Sequence, residues 1–147
     1  MGNHYIRELM ARGERARKQI FSPLLSEFGL TPGQGQARIL YYLLLKNHVT
    51  QKELADNCHF EVTTMSRNLD KLEKLGLIIR QNNPDCRRSF LICLTDKGIA
   101  EAKEIKKVFE QFEQIVSDGI TKEEIEVFLK VMTRMCDNME SYNQKEK

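Results

Sequence analysis

Between Val62 and Lys71 the chain carries short hydroxyls and long cations in close succession: Thr63, Thr64, Ser66, Arg67 and Lys71. Val62, Met65, Leu69, Leu72 and Leu75 recur three or four apart, so a helix would turn this polar group, together with Asn68 and Asp70, away from an apolar stripe. Hydroxyls near a helix N-terminus can meet phosphate oxygens, and a guanidinium can fork onto guanine O6 and N7. The chemistry on offer is recognition of a DNA groove. A second cationic group, Arg87 and Arg88, follows the turn-forming stretch Asn82-Asn83-Pro84-Asp85 and Cys86. At a projecting tip these arginines would suit a narrow minor groove, with Asp85 placed to orient Arg87 by a charge-assisted hydrogen bond.

No other constellation competes with it. Acid/base or nucleophilic catalysis needs a Ser/His/Asp or Cys/His cluster on converging elements, and a nucleotide enzyme needs a Gly-rich phosphate loop. Neither pattern is present, so no catalytic residue and no cofactor are expected. Cys58, Cys86, Cys93 and Cys136 form no CxxC pair, and His4, His48 and His59 form no i,i+4 pair. A metal site is not expected, and the thiols read as reduced and mostly buried. Cys86 stands apart, because a thiol exposed beside cations should have a lowered pKa and be open to oxidation.

The elements that must position these groups follow from periodicity and capping. Thr50-Gln51-Lys52-Glu53 is a capping box that opens a short helix with Leu54 and Ala55 inward. Asn57 to Phe60 is the expected turn, and a second helix from Glu61 ends at Gly76, placed for a left-handed cap. Leu77-Ile78-Ile79 and Phe90 to Leu94 have strand composition and close a hairpin around the basic tip. A helix pair followed by a hairpin is a winged helix-turn-helix, with Thr50 and Gln51 at the entry to the first helix.

Flanking helices complete the chain. Residues 3–28 carry Ile6, Leu9, Met10, Ile20, Leu24 and Phe28 at helical spacing, with Pro23 expected to kink the helix or begin a new turn capped by Ser22. Thr31-Pro32-x-Gln34 is expected to cap the next helix, whose run ARILYYLLL is apolar on most sides. Thr95 caps a long helix, and Thr121-x-x-Glu124 caps a last one carrying Ile125, Phe128, Leu129, Met132, Met135 and Met139. The outer stripes exceed what one small lobe can cover, so burial against a second copy is expected. The expected fold class is mainly α with a small β wing. Residues 1–147 form a single domain, with a DNA-binding lobe at 32–95 and dimerisation helices at 3–28 and 96–142.

Bulk composition agrees. The 147 residues are 41% hydrophobic and 30% charged, with a formal net charge of only +2, so the placement of cations rather than their excess must attract DNA. No apolar run approaches the roughly 18 residues that would span a bilayer, and the N-terminus has no secretory h-region. A cytoplasmic protein without a membrane partner is expected.

RNLDKLEKLGLI, the D-x-R-R turn and LICLTDKG together resemble the MarR family of multiple antibiotic resistance regulators. The resemblance is close from Thr50 to about Gly98, and the helix order fits along almost the whole chain. It implies that Thr63, Thr64, Ser66, Arg67 and Lys71 lie on a recognition helix. It also implies that Asp85 and Arg87 form the wing signature with Arg88 beside it, and that Thr50 and Gln51 touch phosphate. It further implies a homodimer on a pseudo-palindromic operator with half-sites roughly 10 base pairs apart. Repression would be relieved by a small phenolic or other aromatic effector, for which Phe21, Tyr41 and Tyr42 lie in suitable segments. The first helix lacks the cysteine of the family's hydroperoxide sensors, and three histidines are too few for its zinc-responsive members. Two other readings stand beside this one: a thiol-based redox-responsive regulator acting through Cys86, and a winged helix used for protein contact.

Overall fold

A computed structural model describes residues 4–31 and 35–145. Six helices and three strands follow one another as α1 (His4–Glu27), α2 (Gln36–Leu45), β1 (Val49–Thr50), α3 (Gln51–Cys58), α4 (Val62–Lys74), β2 (Ile78–Asn83), β3 (Cys86–Leu94), α5 (Asp96–Ser117) and α6 (Lys122–Lys145). They divide into two compact units, Met1–Lys107 and Val108–Lys147, so α5 contributes its first half to one and its second half to the other.

The core of the first unit gathers one face from each central element. Ile39, Leu40 and Leu43 of α2, Leu54 of α3, Met65, Leu69 and Leu72 of α4, Ile92 of β3 and Ile105 of α5 are fully buried. Their spacing within each helix is three or four residues, which is why each helix forms with one face inward. One polar bridge crosses this core: Gln36 of α2 donates from Nε2 to Asn68 Oδ1 of α4 at 3.2 Å, and both side chains are buried. Gln36 also accepts the backbone N–H of Thr31 at 2.9 Å.

The threonine caps hold at three helix starts, although at Thr50 the Glu53 carboxylate of the expected capping box accepts from Lys46 instead. Thr50 Oγ1 accepts from the Glu53 N–H at 3.1 Å, and Thr95 Oγ1 accepts from the Gly98 N–H at 3.0 Å. Thr121 and Glu124 satisfy each other's backbone N–H groups reciprocally at 3.1 and 3.2 Å. Helix α2 differs, because it begins at Gln36 with Gly35 as its N-cap rather than at Thr31. The expected roles of Pro32 and Gln34 lie outside the described residues. Pro23 neither ends α1 nor starts a new helix, and Ser26 donates its hydroxyl to the Ser22 carbonyl within the continuous helix.

Two glycines set the joint after α4. Gly76 adopts φ +76°, the left-handed turn that lets the Leu77 N–H reach back to the Leu72 carbonyl at 3.0 Å. Gly98 lies so close to the residue preceding β2 that an added Cβ would stand 1.9 Å from the Leu77 carbonyl oxygen. The second residue is therefore glycine for packing, not for its backbone angle.

The sheet is three-stranded and antiparallel in the order β1-β3-β2, one strand more than the hairpin expected from sequence. The added strand, β1, pairs Val49 with Ile92 and Thr50 with Leu91. The hairpin strands are also longer than their apolar cores. They run through Asn82–Asn83 and from Cys86, leaving Pro84 and Asp85 as the turn. Register passes from Asn82↔Phe90 to Asn83↔Cys86, so Arg87, Arg88 and Ser89 are bulged out of the ladder.

In the second unit, α6 has no buried residue, and Val127, Phe128, Leu129, Val131, Met139 and Tyr142 are exposed. A shallow apolar depression between the end of α5 and the start of α6 is lined by Val116, Ile120, Ile125 and Phe128.

Candidate nucleic-acid interface

Helix α3, the His59–Glu61 turn and helix α4 form the helix-turn-helix. His59 takes φ +57° to close α3, and its N–H bonds to the Ala55 carbonyl. Arg38 of α2 locks the turn from behind. Its guanidinium donates to the Cys58 carbonyl at 2.7 Å and lies 5.3 Å from the centre of the Phe60 ring. The turn is thus held by hydrogen bonding and stacking, which fixes the angle at which α4 leaves it.

Helix α4 presents Thr63 and Arg67 to solvent, with Thr64 and Ser66 half-buried beside them. Three placements depart from the sequence reading, the first being Asn68, which is buried against Gln36 instead of lying on the polar face. Val62, assigned to the core stripe, is exposed at the first position of the helix. Lys71, assigned to the polar face, is half-buried, and its ammonium is hydrogen-bonded to Thr31 Oγ1. Its charge therefore sits beside the loop that precedes α2 and is not presented in the manner of Arg67.

The wing is fixed to helix α4 by Arg80 of β2. Its guanidinium donates to Asp70 Oδ1 at 2.9 Å and to Glu73 Oε1 at 3.2 Å, both on α4. Lys97 closes the same corner by donating to the Leu75 carbonyl at 2.9 Å. Further out, Asn83 Nδ2 donates to Ser89 Oγ at 2.9 Å and pins the bulge that carries Arg87 and Arg88. Asp85 does not pair with Arg87: its backbone N–H is bonded to Asn83 Oδ1 at 3.0 Å, as in an Asx turn, and no ion pair to its carboxylate occurs among the described residues.

A contrast between arginines defines the surface. Arg17, Arg38 and Arg80 are held by protein acceptors, whereas among the described residues Arg67, Arg87 and Arg88 are exposed and bonded to no carboxylate. Thr50 and Gln51, both half-buried at the N-terminus of α3, stand at the edge of the same depression as Arg88. Among the described residues Arg12 and Arg15 of α1 and Arg134 of α6 are likewise exposed without a carboxylate. Arg67, Arg87 and Arg88 differ in lying on α4 and on the hairpin whose strand β2 Arg80 ties to α4.

The thiols fall into two kinds. Burial raises the pKa of Cys58, and of Cys93, whose sulfur lies 2.9 Å from His48 Nδ1. Cys86 is exposed, and hydrogen bonds from the Arg88 backbone N–H and then the Ser89 side chain hold its thiol below the ordinary range. No cluster of three or more potential metal ligands occurs among the described residues. Of the aromatic residues considered for an effector, Phe21 is buried with Arg17 over its ring, and Tyr41 and Tyr42 are half-buried.

Fold and site together define a winged helix-turn-helix protein, with a helix presenting donors at its N-terminus and a basic bulged wing beside it. Residues 28–89 match the model of the MarR family. Over that segment the chain is similar to the MarR family, and its fold is similar to that of solved MarR-type proteins. An HTH-type transcriptional regulator of Bacillus subtilis, YdgJ, is 26% identical over 106 residues, which span 72% of this chain and 65% of that protein. A MarR protein from Peptoclostridium difficile superposes with a TM-score of 0.84 at 23% identity, covering 100% of this chain and 94% of the other. MepR of S. aureus, solved in complex with DNA, superposes with a TM-score of 0.79 at 25% identity, covering 95% and 99%. No helix among the described residues is long and apolar enough to cross a membrane.

Proposed function

We propose that the chain is a sequence-specific DNA-binding transcriptional regulator that acts as a homodimer on a pseudo-palindromic operator. Helix α4 enters the major groove, where Arg67 reads a base edge and Thr63, Thr64 and Ser66 meet phosphate or base. The bulged wing lays Arg87 and Arg88 along the adjacent minor groove, and Thr50 and Gln51 contact the backbone at the start of α3. The observation that carries this reading is the pair of unpaired cationic groups on α4 and β3, joined by the Arg80 fork to Asp70 and Glu73. The MepR–DNA complex supports it, since that protein shares the fold over almost the full length of both chains.

The dimer is supported separately by each outer helix. In α1, Tyr5, Ile6, Leu9 and Met10 are exposed, and α6 exposes the apolar residues named above. Helices with such stripes are covered in solution by another copy more economically than by water. Bound across a promoter, the dimer represses by occlusion, and a small aromatic effector relieves it by changing the separation of the two recognition helices.

A mobility-shift titration against the DNA upstream of its own gene, at two salt concentrations, tests the reading. A discrete band that weakens with salt and outcompetes unrelated duplex is expected. Equal affinity for unrelated DNA, or no band, would contradict it and favour a protein-contact role for the winged helix.

A further inference from the structure

Val62 is at odds with the rest of its helix. Every other apolar side chain of α4 (Met65, Leu69 and Leu72) is fully buried, whereas Val62 is 71% exposed at the first helical position. A single exposed valine is ordinary on a protein surface. This one is not single. With Ala55, Phe60 and Phe90 it lines a depression of about 530 Å³ between α3, the start of α4 and the wing strand β3. Phe90 is itself 47% exposed there, so two apolar groups on adjacent DNA-facing elements stand beside the polar readers Thr63 and Arg67.

The remaining chemistry of the depression selects what can enter it. The carboxylates of Asp56 and Glu61 are balanced by the cations of Lys52 and Arg88, so selection falls to the apolar wall that Val62 and Phe90 form, which favours an apolar group. In the major groove, the apolar group that DNA presents is the C5 methyl of thymine. The first residues of a recognition helix are those that approach base edges, and Val62 is the first residue of α4. We infer that Val62, backed by Phe90, packs against a thymine methyl and is a specificity-determining residue of the interface. The inference rests on the DNA-binding reading above and adds to it a named base feature that hydrogen bonding cannot report.

Replacing single thymines by uracil removes that methyl and nothing else. The probe is a duplex selected by the wild-type protein from a random-sequence pool, with each thymine exchanged in turn for deoxyuridine. In the wild type, one symmetry-related thymine pair is expected to show a loss of about fourfold per half-site, the value of one buried methyl-sized group. In Val62→Ala the same exchange is expected to cost nothing, while the Arg67 and Arg87 dependence and the thermal melt stay as in wild type. A uracil penalty at no position, or one equally large in Val62→Ala, overturns the inference but leaves the regulator reading intact if the selected duplex still outcompetes random DNA. Failure of the selection to enrich any sequence overturns both.

Discussion

At the scale of single residues, the proposed reading assigns DNA recognition to side chains that the protein leaves without an internal partner. Arg67 and Arg87 are the clearest. Arg67→Ala is expected to weaken operator binding by ~1–3 kcal/mol with relaxed preference at one base pair, the loss of a bidentate contact. Arg87→Ala should weaken binding and flatten the salt dependence by about one counterion, as titrations at several salt concentrations would show. Lys71→Met should do neither to the same degree, since that ammonium is bonded to Thr31. The thiols separate by environment. Cys86 is expected to be alkylated first, at a pH below that needed for an ordinary thiol, because the Arg88 N–H and Ser89 hold its thiolate. Cys58 has the opposite shift, and its pKa in the folded chain lies above that of the unfolded chain. Its stabilising effect is therefore complete below the unfolded thiol pKa of about 8.5 and is lost as pH rises beyond it. Melting temperatures from pH 7 to 10 should fall less steeply for Cys58→Ala than for the wild type.

At the scale of elements, the decisive link is between α4 and the wing. Arg80 is four-fifths buried and forks onto two half-exposed carboxylates, so removing it costs little stability, about 0–1 kcal/mol. Its effect on DNA should be larger than its effect on folding. Arg80→Gln is expected to weaken binding in the wild type but to add little in an Arg87→Ala background, as a double-mutant cycle would reveal. The helices, and the caps of α3, α5 and α6 though not that of α2, were legible in the sequence because apolar spacing and Thr-x-x-Glu or Thr-x-x-Gly signals act within one turn. Strand β1 was not, since two residues are too few to show alternation and Val49–Thr50 also begins the α3 capping box. The outer wing was shortened in the same way. Asn82–Asn83 and Cys86–Ser89 are polar and solvent-facing, and their strand character comes from ladder pairing and the Asn83–Ser89 bond. Val62 was placed inward and Lys71 outward for one reason. A stripe on a helical wheel fixes the angle of a residue but not whether a neighbouring element covers it, nor that Thr31 lies within reach of position 71.

At the scale of the whole molecule, a formal net charge of +2 is compatible with DNA binding because the cations that matter are unpaired and clustered on α4 and β3. The apolar residues exposed on α1 and α6 call for a second chain, and sedimentation at micromolar concentration is expected to show a dimer. A stable folded monomer would remove the reason for a two-fold operator. The most direct measurement is a hydroxyl-radical and methylation footprint on the selected duplex. Two major-groove patches are expected, centred about one helical turn apart, each flanked by a protected minor groove that vanishes in Arg87→Ala. A single patch, or protection spread evenly along the duplex and unaffected by Arg87→Ala, would contradict a dimeric reader with its helices in the major groove and its wings beside them.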